Sequence, residues 1–458
     1  MRKKALLASL TGAAILLGGL AGVAVPASAA STRTVTIWSN YNGAGLDLWN
    51  SAVARVQAAH PELKVVSVGS IDMAKSLAAI NAGTGPDLSV SSGSGNLGWF
   101  CGSGAWQDIS KLARNSATGL NLTTTFTAAS LAATTSNHIR CGLPLSTEVF
   151  AFYFNKDILA KYGYAAPPKT TDELTAMSKK MTTFDANGDI KSAGFVPWAG
   201  YYGFAMDSMW LGQMFGAKWY SVDGKGTSGF GVDPAWTAAF NWQRHFIATV
   251  FGGGDFAKGS RLVTKFVAGR GDEWGTSHDF MTGRVAMKWD ANWMSQMFCT
   301  GDNWVIASTC TSGLNFGIAP FPVAPKLVST LYGAGVVGEP SIGISKGSKN
   351  VKDAWTVMKA LATDTTFASA YDSYGASPSV LLSSLAKPKT QPAWYEPIYS
   401  IVKNPKSGYH TMQNTGEHQE EGLLQDLMAS WQAGQTPNIS SALSDLGTQV
   451  NQIIAYNK

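Results

Sequence analysis

Two rhythms of apolar and polar positions run along this chain, and they alternate. Val35 to Trp38 has the two-residue period of a strand, and Leu46, Trp49, Val53 and Val56 then recur at steps of three, four and three. That second spacing predicts one buried helical face, ending near His60-Pro61. Lys64 to Val68 reads as a second strand, Met73 to Ile80 as a short helix, and the turn Gly83-Thr84-Gly85-Pro86 leads into a third strand at Asp87 to Ser91. A β-α-β-α-β order of this kind predicts parallel pairing with right-handed crossovers.

The pattern restarts further along. Val149 to Phe154 is strand-like, and Thr170-x-x-Glu173 after Pro167-Pro168 is a capping box for a helix with Leu174, Met177 and Met181 on one side. Arg284 to Trp289, Asn315 to Ala319 and Val336 to Ser345 read as strands. Val351, Ala354, Trp355, Met358 and Leu361 mark a buried helical face, and two more apolar stripes, Leu423 to Trp431 and Ile439 to Ile453, close the chain. No internal repeat or low-complexity linker separates the two parts, which predicts lobes that interweave.

The opening segment follows neither rhythm. Arg2-Lys3-Lys4, an uncharged apolar run from Ala5 to Val25, Pro26 and the small residues Ala27 to Ala30 read as a signal peptide over residues 1–30. An uncleaved membrane anchor is the alternative. No Cys follows this segment directly, the first being Cys101, so a lipid-anchored form is not expected. The reading is a protein exported to the periplasm or the exterior.

Composition narrows the function classes. At 458 residues, 45% hydrophobic and only 14% charged, the chain suits a large packed core. Lys and Arg total 35 against 30 acids, and three of the bases sit in the leader, so nothing calls for a nucleic-acid partner. Four Cys without a CxxC exclude a zinc ribbon. Export permits disulfides, with three connectivities open; Cys101 with Cys141 and Cys299 with Cys310 are favoured over four free thiols.

Several motifs suggest enzymes and fail on context. Gly93-x-Gly95-x-x-Gly98 follows a strand as a dinucleotide fingerprint would, yet it follows the third strand of an exported chain; a Gly/Ser loop near a ligand site is the plainer reading. Gly343-x-Ser345-x-Gly347 lacks the immediate helix of a nucleophile elbow. Asp185-x-Asn187-x-Asp189 lacks the glycine and the final glutamate of a calcium loop and reads as an Asx-rich turn. His418 beside Glu417, Glu420 and Glu421 reads as a solvated cap, and Arg270-Gly271-Asp272 as a chance tripeptide. No metal or cofactor is expected.

The aromatic residues carry more information. There are 16 Trp, 14 Tyr and 20 Phe. Trp198, Tyr201, Tyr202, Trp210, Trp219 and Tyr220 lie among glycines, while Trp289, Asp290, Asn292 and Trp293 form a second group. Sugars present apolar C–H faces and hydroxyls, so a sugar site needs flat rings to stack on and a few polar groups to orient the guest. Core packing is the alternative for each ring taken alone.

With these residues in view, the chain resembles the extracellular solute-binding proteins of ABC importers, of the maltose/oligosaccharide type. The likeness rests on Val35-Thr36-Ile37-Trp38, on Ala54 to Val65, on Gly83-Thr84-Gly85-Pro86-Asp87 and on Gly104 to Ile109. It is most specific at Leu143-Pro144 through Glu148 to Tyr153-Phe154-Asn155-Lys156-Asp157, and it continues in Pro167 to Leu174 and in Phe280 to Met287, ending in Trp293. The resemblance implies an α/β fold of two interwoven lobes with a hinge, periplasmic binding protein-like of type II. It places one lobe at 31–148 and 285–338 and the other at 149–284 and 339–458, with crossings near Glu148 to Phe150, Met281 to Val285 and Gly338 to Ser341. It implies ligand contacts at Asn40, Tyr41, Ser91, Ser92, Ser94, Glu148, Trp198, Tyr202, Trp289, Asp290, Trp293, Gly333 and Gly335. It also implies a monomeric receptor that delivers a saccharide to an ABC transporter permease and performs no catalysis. Receptors of this type for malto-oligosaccharides often carry charge after the third strand, where this chain has Ser and Gly. Two alternatives stand beside this reading. One is a receptor of the same fold for a non-sugar solute. The other is an exported glycoside hydrolase pairing Asp272 or Glu273 with Asp290 or Glu339.

Overall fold

The computed structural model describes residues 33–91, 97–136, 139–201, 207–221, 226–301, 309–338, 340–386, 391–408 and 414–456. Its first part is β1 (Arg33–Trp38), α1 (Gly43–Ala59), β2 (Leu63–Val68), α2 (Met73–Asn81) and β3 (Leu88–Ser91), as the alternating rhythms predict. Asp72 caps α2 by accepting from the amides of Ala74 and Lys75. β4 (Gly142–Pro144) and β5 (Glu148–Asn155) follow, then α3 (Thr171–Met181), whose Thr170 and Glu173 form the expected capping box. α4 (Asp207–Phe215), α5 (Pro234–Phe251) and α6 (Phe256–Ala268) lead to β6 (Met287–Ala291), β7 (Phe316–Ala319), β8 (Val336–Gly338) and β9 (Ser341–Ile344). The chain ends with α7 (Val351–Ala362), α8 (Thr365–Gly375), α9 (Glu396–Lys403), α10 (Glu417–Gln432) and α11 (Ile439–Tyr456). Among the described residues no helix is long and apolar enough to cross a membrane.

The strands form two main sheets. One has the order β2-β1-β3-β9-β4, with β1 parallel to β2 and β3, and with β9 antiparallel to β3 and β4. In the other, β5 pairs antiparallel with β6 along one edge and with β7 and β8 along its other edge. Each sheet has its own core. Val35, Ile37, Trp49, Ile342, Trp355 and Phe367 pack on the first, and Phe152, Trp210, Trp289, Phe240 and Trp431 on the second.

This pairing differs from the expected division of the chain. Residues 285–338 were expected with the first lobe, yet β6, β7 and β8 all join β5 in the second sheet. Residues 339–458 were expected in the second lobe, yet β9 lies inside the first sheet, with α7 and α8 packed on it. The single strand expected over Val336 to Ser345 is two strands in two sheets. Pro340 has no N–H to give a ladder, so the apolar run is interrupted where the chain changes sheets. Met281 to Val285 is not a crossing either, since Val285 bridges Ala193 beside the second sheet. Two strand crossings lie side by side, Leu145–Thr147 and the segment ending at Pro340, with the amide of Leu145 donating to the Pro340 carbonyl at 2.8 Å. The chain passes back to the second sheet a third time between α8 and α9, whose Ile398 and Ile401 pack with Val149 and Tyr153 of β5.

Two disulfides clip this framework, Cys101–Cys141 and Cys299–Cys310. Asp185 is the acceptor of a tight turn, taking the amides of Asn187 and Asp189, so this motif closes a hairpin as an Asx turn. Ser345 is buried at the end of β9, six residues before α7 begins at Val351.

Candidate ligand-binding site

The two crossings bring the carboxyl ends of several strands to one place. Ser91, the last residue of β3, pairs with Ser341 at the start of β9, and Ser341 pairs with Pro144 at the end of β4. Glu148 opens β5 opposite Gly338, the last residue of β8. Strand ends gathered at a change of direction are where open α/β sheets bind ligands.

Aromatic side chains lie beside this junction, Tyr41 and Tyr371 near Glu148 on the side of the first sheet and Trp293 against Phe150 on the side of the second. The loop after β1 is tied to the loop after β2, with the amides of Ser70 and Ile71 donating to the carbonyls of Tyr41 and Ser39. Tyr41 is thereby held with its ring 5.3 Å from Trp49 and 5.7 Å from Tyr371 of α8. Its hydroxyl is buried without a hydrogen-bond partner. Burial above all, then the neighbouring Tyr371 and Glu148, pushes the hydroxyl well above the ordinary phenol range. The same two influences, burial first and the Glu148 charge second, raise the Tyr371 hydroxyl. Both phenols therefore remain protonated around a half-buried carboxylate at neutral pH.

Trp293 stands on the side of the second sheet. It follows the end of β6, is half-buried, and meets Phe150 edge-on with ring centroids 5.8 Å apart. Its neighbour Asn292 fixes the position. The Asn292 amide donates to the Val149 carbonyl at 2.7 Å, and its Oδ1 accepts from the Val149 amide at 2.7 Å. Its Nδ2 donates to the carbonyl of Ala376 at 2.5 Å. Ala376 holds a left-handed backbone (φ 50°) just past α8, a conformation costing about 1 kcal/mol or more for a non-glycine residue. Tyr395 donates its hydroxyl to the same carbonyl. Asn292 thus couples the start of β5, Trp293 and the end of the helix that carries Tyr371 and Tyr374.

The expected contact residues divide into groups. Tyr41, next to Asn40 in the chain, lies near Glu148, Ser91 ends β3 beside Ser341, and Trp293 lies against Phe150, two residues along β5 from Glu148. Ser92, Ser94 and Tyr202 lie outside the described residues, as does Glu339. Trp289 is a core residue, not a plate for ligand. Alternation along β6 turns it into the second core, 1% exposed, where it meets Phe195, Trp210 and Phe321 with centroids 4.9, 5.5 and 6.4 Å away. Trp198 is buried in the same cluster. Gly333 and Gly335 face α9; a Cβ on Gly335 would come within 2.7 Å of Ile401. Tyr371 and Tyr374 are the residues that sequence reasoning missed. Their signal is present in Tyr371-Asp-Ser-Tyr374-Gly375, aromatics beside a glycine like those around Trp198 and Tyr201.

Asp290, on the opposite face of β6 from Trp289, is fully buried in a charge cluster. The ammonium of Lys288 is 2.6 Å from Glu273 Oε1, 2.9 Å from His278 Nε2 and 3.4 Å from Asp290 Oδ2. Glu273, His278 and Asp290 each offer a ligand atom within 4.8 Å of one another, as a metal site would, and the ammonium contacts all three. Burial works against the charged Glu273 carboxylate, but the hydrogen bond with His278 and the Lys288 charge prevail and hold it near pKa 2. A carboxylate so held is a poor general acid. Asp207, at the start of α4, is buried under Trp289 and accepts from its Nε1 at 3.2 Å and from the Gly200 amide at 3.0 Å. Burial dominates there and pushes the carboxyl up to about 7.

Comparison with known proteins sets this site in context. Residues 43–366 match the family model described as bacterial extracellular solute-binding protein. A maltotriose-binding protein of Pyrococcus abyssi is 24% identical over 331 residues, 72% of this chain and 62% of that protein. A probable ABC transporter-binding protein of Deinococcus radiodurans is 33% identical over 85 residues, 18% of this chain and 20% of that protein. The matches therefore span less than two thirds of either curated relative. Among solved structures, CpMnBP1 with mannotriose bound superposes with a TM-score of 0.68 at 21% identity, covering 91% of this chain and all of that one. The sugar-binding protein MalE of Xanthomonas citri gives 0.70 at 15% identity, covering 92% of this chain and 98% of that one. At such identities the superpositions establish the same fold.

Proposed function

The chain belongs to the bacterial extracellular solute-binding protein family, and from that premise we propose that it is the receptor of an ABC importer for a neutral saccharide. What supports the reading is the gathering of Tyr41 and Tyr371 near Glu148 where the two sheets exchange strands, with Trp293 against Phe150 two residues along the same strand as Glu148. An indole face offers apolar area to the C–H surface of a sugar ring, while phenols and a carboxylate orient hydroxyls. Relatives named for maltotriose and solved with mannotriose support this chemistry.

In this proposal one lobe is built on the first sheet with α1, α2, α7 and α8. The other is built on the second sheet with α3 to α6, α10 and α11. The guest bridges half-sites that meet only when the lobes approach, so its binding energy draws an open–closed equilibrium toward closed. The permease then recognises the closed form, and the sugar leaves unchanged. Glu273 and Asp290, which a hydrolase would need free, are instead joined through Lys288. Residues 1–30 act as the export leader, and the mature protein works as a monomer outside the cytoplasm without a leader-cysteine anchor.

Thermal unfolding with a ligand panel tests the proposal. Maltotriose, mannotriose and related oligosaccharides are compared with spermidine and glycerol phosphate. A saccharide at a hundred times its Kd adds about 2.7 kcal/mol to native stability and raises the melting temperature. A rise with the amine or the phosphate ester alone rejects the saccharide assignment.

A further inference from the structure

The last glycine of one sequence motif and a buried acid of another are brought close together in the folded chain. Gly98, the last glycine of Gly93-x-Gly95-x-x-Gly98, opens a single wide turn at Gly98–Gly102. Glu420, from the acidic group around His418, is fully buried on α10. Asn414 lies between them. Its Nδ2 donates to Glu420 Oε1 at 3.1 Å, and its Oδ1 accepts from the Gly416 amide at 2.7 Å. Its backbone lies directly on the turn. A Cβ on Gly98 would fall 2.0 Å from the Asn414 carbonyl oxygen, and one on Gly102 would fall 3.2 Å from Asn414 Cα and from the Thr415 nitrogen. Side-chain carbons do not approach backbone that closely, so glycine is required at Gly98 for this contact to form.

The partners belong to different lobes. The turn packs with Ile80, Ala105 and Trp106, and Cys101 within it is bonded to Cys141 beside β4. Trp106 in turn packs on Gly343 of β9, in the first sheet. α10 sends Leu424, Met428 and Trp431 into the core of the second sheet. The contact at Asn414 is thus a lobe-to-lobe contact made in addition to the two strand crossings.

We infer that Gly98 and Gly102 form the seat, and Asn414 braced by Glu420 the catch, of a latch that stabilises the closed arrangement of the lobes. Glu420 is a positioning residue in this device: its carboxyl oxygen accepts from the Asn414 side chain, which leaves the Asn414 backbone to press on the glycines. The disulfide keeps the seat from yielding. Apparent affinity scales with the fraction of molecules able to close, so the latch sets affinity without touching ligand. The inference rests on the proposed two-lobe closure and not on the identity of the guest.

Spin labels on cysteines replacing Lys111 and Lys258, exposed positions in the two lobes, report closure as a distance distribution. Gly98→Ala is expected to cut the short-distance population at least threefold, and Gly102→Ala, with its looser approach, by less. Gly422→Ala, whose Cβ would meet nothing within 4 Å on the same α10, is expected to leave the distribution unchanged. With maltotriose as probe, the Kd should rise by the factor by which the closed fraction falls. An unchanged distribution in Gly98→Ala, with cooperative melting intact, overturns the latch. So does a wild-type chain lacking the short distance both with and without sugar. If Gly98→Ala loses cooperative melting, Gly102→Ala decides by the same reading. A shifted distribution in a protein that ignores every sugar leaves the latch standing and removes the saccharide assignment; sugar binding with no shift does the reverse.

Discussion

At the scale of single residues, Trp289 and Trp293 stand four positions apart and do different work. One is 1% exposed among Phe195, Trp210 and Phe321; the other is half-buried at the strand junction. Trp293→Ala is expected to weaken saccharide binding by tenfold or more, about 1.4 kcal/mol, with little change in melting temperature. Trp289→Ala opens a cavity and is expected to cost about 3–5 kcal/mol of stability, visible in denaturant unfolding. Composition alone gave both rings the same standing, because an indole beside Asp and Asn looks alike in a core and in a cleft. Strand register separates them, and register depends on partners far away in sequence.

Glu420 gives a pH prediction at the same scale. Burial above all pushes its carboxyl up to about 7, against 4.5 in an ordinary environment. The folded chain therefore holds a proton that the unfolded chain releases between these values, and stability from this group is lost as pH rises from about 4.5 to about 7. Glu420→Gln keeps an acceptor for Asn414 and has no proton to lose. Its melting temperature relative to wild type should climb by about 3 °C across that interval, the size of roughly 3 kcal/mol, and level off above it. A difference independent of pH would show that Glu420 does not titrate there.

At the scale of elements, local signals were largely legible. The capping box at Thr170 and Glu173, the helical stripe of Trp49, Val53 and Val56, and the parallel β1–β2–β3 unit all follow from spacing and cap chemistry. Thr170→Ala removes the oxygen that accepts from the Glu173 amide and should cost about 1 kcal/mol, measurable as a lower denaturant midpoint with unchanged slope. Less legible were elements whose identity depends on what they pair with. Val336 to Ser345 is apolar throughout and reads as one strand, yet the chain changes sheets at Pro340. Tyr371 and Tyr374 lie on a helix distant in sequence from Tyr41, and only the packing of α8 on α1 brings them together.

At the scale of the whole molecule, the fold class and the family were readable from ordered pieces spread along the chain. The partition into lobes was not. An apolar strand carries no mark of which sheet it joins, so β6 to β8 and β9 were expected in the wrong halves. The corrected pairing locates the candidate site: the strands cross twice at adjacent points, with Ser91, Ser341 and Pro144 side by side at the end of one sheet and Glu148 opposite Gly338 at the end of the other. Closure on a neutral guest at that junction is the central claim. Isothermal titration of the mature chain with oligosaccharides, followed by chromatography of the released sugar, tests it most directly. Saturable binding of one saccharide per chain is expected, abolished or strongly weakened in Trp293→Ala, with the sugar recovered intact. Saturable binding that ignores Trp293, or recovery of shortened sugar, would contradict it.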